Sequence, residues 1–93
     1  MGNVPQVSRY QVSVGSTTVR VGNFRDARSV VAEAITSFLA RDPEAGARGA
    51  VTINAAFDSG AVEHSLTAHG SWSTTVTVDG EPVLLAIVKK RLW

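Results

Sequence analysis

Residues 51–70, VTINAAFDSGAVEHSLTAHG, are the stretch whose reading decides the fold. Val51, Ile53, Ala55 and Phe57 alternate with Thr52, Asn54 and Ala56, the period of a half-buried strand. If residues 58–61 form a four-residue turn, the return strand opposes Phe57 to Val62, Ala55 to His64, Ile53 to Leu66 and Val51 to Ala68. The large apolar side chains then lie together on one face, and a slip of one residue would destroy the agreement. Residues 61–70 taken alone also read as a short helix closed by Gly70. Register favours the strands, so the C-terminal half is expected to be an antiparallel meander.

Downstream, Trp72, Thr74, Val76 and Val78 alternate with Ser73, Thr75 and Thr77. Asp79-Gly80 is a strong hairpin signal, because a tight turn needs residues that tolerate positive φ. It returns the chain into residues 83–91, with Pro82 at the start of that strand or in its turn. Upstream, residues 42–49, DPEAGARG, read as a breaker-rich loop.

Before that loop, residues 26–41 carry the clearest helical period. Ala27, Val30, Val31, Ala34, Ile35, Phe38 and Leu39 share one stripe at steps of three and four. Asn23 or Asp26 can cap the first turn, Arg41 suits the negative end of the dipole, and Pro43 stops the helix. Nearer the N-terminus, residues 7–14 and 17–21 form a hairpin about Gly15 and Ser16, pairing Val14 with Thr17, Val12 with Val19 and Tyr10 with Val21. Residues 1–6 have no period and read as an arm. The expected fold is therefore α+β: one domain over residues 1–93, with a single helix packed on one face of a five- or six-stranded antiparallel sheet, order ββαβββ(β).

Gln11, Val12, Ser13, Val14 and Gly15 resemble the QxVxG of the cystatin protease inhibitors. There the motif follows the helix and here it precedes it, so no inhibitory residues are carried over.

Nine basic and eight acidic residues leave a net charge of +1, which provides no global field to steer the chain to nucleic acid or an anionic membrane. The absence of cysteine excludes disulfides and thiolate metal sites and suits a reducing cytoplasm. The longest apolar run, residues 83–88, is far short of the roughly 20 residues that span a bilayer, so no membrane role is expected.

Residues that could do chemistry do not converge. His64 and His69 are five apart, on opposite faces of a strand or about 140° apart on a helix. No nucleophile, base and acid come together, and no phosphate-binding glycine motif occurs. The expectation is a protein that is not an enzyme and needs no cofactor or metal.

Binding has more support. VLLAIV, residues 83–88, is apolar on both faces, so Leu84, Ala86 and Val88 point away from the helix, where leftover apolar surface marks contacts. The helix's outward residues Ser29, Ala32, Thr36, Ser37 and Ala40 are small and would admit close approach. Trp93 could anchor in a partner's pocket. These features imply a small interaction or self-assembly module, either a homo-oligomer or one bound to a protein partner. The second reading is a nucleic-acid-binding regulator using Arg9, Arg20, Lys89, Lys90 and Arg91 against phosphates.

Overall fold

The computed structural model describes residues 9–90. Strands β1 (Tyr10–Val14) and β2 (Thr17–Val21) come first. Helices α1 (Phe24–Arg41), α2 (Pro43–Asp58) and α3 (Ala61–His69) follow, and strands β3 (Ser71–Val78) and β4 (Glu81–Lys89) close the order ββαααββ. The two hairpins join into one four-stranded antiparallel sheet, β2-β1-β4-β3, with the first and last strands in the sequence as its central pair.

Both hairpins follow from their turns. Gly15, at φ 60°, takes the positive φ of a two-residue loop, and the pairs Val14–Thr17, Val12–Val19 and Tyr10–Val21 are the expected ones. In the second hairpin Asp79 (φ 53°) and Gly80 (φ 79°) are both left-handed, as the type I′ geometry requires. Pro82 lies just inside β4, opposite Thr77. Its nitrogen faces the β1 side, but β1 has already turned away at Gly15, whose N–H bonds Leu84 O at 2.8 Å. No ladder bond is lost there.

Helix α1 forms where its period predicts, starting two residues earlier at Phe24, although Leu39, expected on the buried stripe, is 39% exposed. The Asn23 side chain accepts the Asp26 N–H at 2.8 Å, and Ala27, Val31, Ala34, Ile35 and Phe38 are buried along one stripe. It ends at Arg41, ahead of Pro43.

The single helix over a five- or six-stranded sheet is overturned: there are three helices over four strands. Residues 43–49 of the expected loop and 51–57, expected as a strand, belong to α2, and α3 replaces the expected return strand. Pro43, which ends α1, occupies the first turn of α2, where its missing N–H costs nothing. Asp42 serves both helices: its N–H bonds Phe38 O at 2.7 Å and its side chain accepts the Ala45 N–H at 3.2 Å.

Gly46 is a packing residue rather than a breaker. A Cβ there would lie 2.6 Å from the Leu39 backbone nitrogen, so α2 can cross α1 this closely only without one. Ile53 and Phe57, four apart, are buried on one face of α2, as Val62 and Leu66 are on α3. The alternation that suggested a strand put Val51 beside Ile53, yet Val51 is 73% exposed. Alanine-rich segments fit either period, and alanine's propensity favours the helix. Gly70, at φ 76°, caps α3 with its N–H on Leu66 O, so the helical reading of residues 61–70 is the one that forms.

One cluster of buried side chains joins α1, α2 and α3 to the sheet through Val12, Val76, Val78, Leu85 and Ile87. Ile53, Phe57 and Leu66, expected on the sheet, instead pack down on it from α2 and α3. Tyr10, Phe24, Phe57 and Trp72 stack edge to face or tilted, with successive ring centres 5.6–6.1 Å apart. Arg28 lies over Phe57 at 5.0 Å and bonds Asp58 at 2.8 Å.

Candidate interaction surface

All the helices pack on the same side of the sheet as the buried residues Val12, Leu85, Ile87, Val76 and Val78. Because strand residues alternate between faces, Gln11, Ser13, Thr18, Arg20, Ser71, Ser73, Thr75, Thr77, Leu84, Ala86 and Val88 share the opposite face. No described element covers it. Leu84 is 49% exposed, whereas Leu85, its neighbour in sequence, is fully buried.

Cross-strand register gives this face its chemistry. Ala86 lies between Ser13 and Ser73, Val88 between Gln11 and Ser71, and Leu84 beside Thr75. Ser13 and Thr18 share a hydroxyl hydrogen bond at 3.3 Å. An apolar ridge along β4 is thus flanked by columns of hydroxyls and one amide. A wholly solvated face would be polar throughout, as its flanks are.

The ends of the sheet differ in charge. At one end the Lys90 N–H bonds the Arg9 carbonyl at 2.6 Å, and Arg20 lies across from Gln11, gathering Arg9, Arg20 and Lys90. Lys89 is not with them: it alternates to the helix side, opposite Tyr10 and near Leu66. Arg91 and Trp93 lie outside the described residues. The other end holds Asp42, Asp79 and Glu81 against Arg41, which bonds Asp79 at 3.2 Å. Asp42 accepts the Asp79 N–H at 3.0 Å. That bond first, then the one from the Ala45 N–H, holds the Asp42 carboxyl below its ordinary range.

Sequence reasoning missed a groove of about 300 Å³ between α2 and β3, lined by Arg48, Gly49, Thr52, Thr74, Thr75 and Thr77. It was invisible because α2 was read as loop and strand. Arg48 is its one ionisable lining residue, too little for acid–base work. His64, which the strand register would set opposite Ala55 on the apolar face, is exposed on α3, as is His69. Among the described residues no three His, Asp or Glu side chains are placed to hold a metal ion. No described helix is long and apolar enough to cross a membrane. The small outward residues of α1, Ser29, Ala32, Thr36, Ser37 and Ala40, are all exposed.

No protein-family model, curated protein or solved structure matches the chain.

Proposed function

We propose that this protein is a small non-enzymatic module that self-associates through the open face of its sheet, with Leu84, Ala86 and Val88 as the contact ridge. The observation that carries the reading is the apolar ridge on a central strand that no described element covers. A second copy is the occupant proposed, ridge stacked on ridge. Arg9, Arg20 and Lys90 gather at one end of the face, whereas Glu81 alternates with Leu85 to the helix side. Away from that end the face carries no charge that stacking would desolvate. The cysteine-free composition suits a cytoplasmic setting.

Leu84→Glu combined with Val88→Glu tests it. Both side chains are on the open face, so the buried residues of β4 are untouched and thermal unfolding should barely change. The mass by light scattering should fall below that of the wild type. A folded variant with unchanged mass would remove the basis of the proposal.

The gathering of Arg9, Arg20 and Lys90 beside that face supports nucleic-acid binding as the second reading. Three phosphate contacts to a single strand would give a log–log salt slope of about −2. Arg20→Glu with Lys90→Glu would abolish binding. Retained oligonucleotide affinity in that variant, or none in the wild type, would eliminate this reading.

A further inference from the structure

We infer that the free edge of the sheet is a second self-contact, in which β3 pairs antiparallel with β3 of another copy about a two-fold axis through Thr74, extending the four-stranded sheet to eight strands. This surface is separate from the open face.

The backbone supplies the first argument. The Lys89 N–H bonds Gly70 O at 2.9 Å, which sets the phase of the β3–β4 ladder. Trp72, Thr74 and Val76 therefore direct their backbone groups to β4, and Ser71, Ser73, Thr75 and Thr77 direct theirs to the side on which no described strand pairs. An unpaired row of N–H and C=O groups is a template for another strand.

The two edges are not alike. β2 is five residues long and carries Arg20; β3 is eight residues of SWSTTVTV with no charge or proline. Proteins that keep an edge unpaired protect it with lysine, proline, a bulge or shortness. β3 has none of these.

The side chains fit a two-fold. Centred on Thr74, the pairing sets Ser71 against Thr77 and Ser73 against Thr75 of the other copy, so every open-face pair joins two hydroxyls. On the helix face Trp72 meets Val76. Thr–Ser and aromatic–β-branched pairs are among the favourable cross-strand combinations, and no like charges are opposed. The α2–β3 groove runs along this edge and leaves room for side chains of an added strand against Gly49 and Thr52.

Area is the third argument. With strands about 4.8 Å apart and about 3.3 Å per residue, the open face of one copy is on the order of 400 Å² in projection. A standard interface takes roughly 800 Å² from each partner. A two-fold perpendicular to the sheet keeps both open faces on one side, so edge pairing doubles the stacking surface to about that size.

The test is sedimentation over a concentration series. Thr75→Pro removes an N–H that β4 does not use, so the hairpin survives, but an incoming strand loses its partner. Wild type should reach a mass above a dimer, Leu84→Glu with Val88→Glu should halve it, and adding Thr75→Pro should leave a monomer. If Thr75→Pro perturbs the circular dichroism, Thr75→Lys replaces it, keeping the N–H while placing a charge on the edge. As a second readout, the Ser73 and Thr75 amides of the Leu84→Glu, Val88→Glu protein should exchange slowly at high concentration and rapidly in the Thr75→Lys background. An unchanged mass on removing the edge contact overturns this inference; so does a Leu84→Glu, Val88→Glu protein that is already monomeric. Failure of the open-face reading looks different: Leu84→Glu with Val88→Glu keeps the wild-type mass while Thr75→Pro still lowers it. A monomer whose Ser73 and Thr75 amides slow only with an added extended peptide would assign the edge to a peptide partner and overturn the second-copy pairing.

Discussion

A missing methyl group at position 46 lets two helices cross. Gly46→Ala would place a Cβ 2.6 Å from the nitrogen and 2.7 Å from the Cα of Leu39, and backbone atoms cannot rotate aside. Alanine gains about 1 kcal/mol of helix propensity over glycine, but overpacking costs about 1–3 kcal/mol. We expect a net loss of up to about 2 kcal/mol, a fall of up to about 16 °C in Tm. Gly49→Ala is the contrast, because its Cβ would meet only the Val76 side chain, at 3.2 Å, and a side chain can shift. Its melting temperature should change less than that of Gly46→Ala in the same calorimeter. Asp42 is the other residue with leverage, since it caps α2 and holds the Asp79 turn. Its folded pKa lies below the ordinary aspartate value of 3.8. The unfolded chain therefore binds the proton more readily, and Asp42 contributes stability that is present above about pH 4 and lost as pH falls through the folded pKa. Asp42→Asn should lower Tm at pH 7 and flatten its dependence on pH below 4. An unaltered acid limb would show that the two backbone bonds do not favour the ionised carboxylate.

Elements whose determinants are local were legible. Gly15 and the Asp79-Gly80 pair carry their turn geometry in the residue type, and the α1 stripe runs unbroken from Ala27 to Phe38. Helix α2 was not legible, because Pro43, Gly46 and Gly49 have the composition of a loop. Their reasons are positional: Pro43 sits in a first turn, Gly46 against α1 and Gly49 against Val76. In residues 51–57 the alanines satisfy both periods, so a consistent register could be built for strands that do not form. Two substitutions separate the readings. A strand would bury Val51 and Ile53 together, whereas the helix exposes Val51 and buries Ile53 to 1%. Val51→Glu should change stability by no more than about 0.5 kcal/mol, and Ile53→Ala should cost about 2–5 kcal/mol. Denaturant midpoints decide it, and comparable losses at the two positions would contradict the helix.

At the scale of the whole molecule, the ridge of Leu84, Ala86 and Val88 could be found in the sequence because VLLAIV is apolar at both parities and one layer of helices covers one parity. The edge could not, because strand order depends on how the hairpins dock, and no residue of β3 announces that it lies outermost. Nor could the charge polarity, which arises when β1 and β4 pair and bring Arg9 beside Lys90. That polarity yields a test of the stacked arrangement. Arg9, Arg20 and Lys90 lie on the open face, whereas Glu81 alternates with Leu85 to the helix side. If strands stack parallel, the cationic ends of the two copies come together, so Arg20→Glu should tighten association at low salt, and the gain should fade at high salt. If they stack antiparallel, the cationic end overlies the uncharged far end of the face, and Arg20→Glu should leave the dimer dissociation constant unchanged. A nucleic-acid interface would instead lose affinity with Arg20→Glu. The dimer dissociation constants of wild type and Arg20→Glu at two salt concentrations therefore distinguish the two stacks, and oligonucleotide titrations of the same proteins test the competing use of this face.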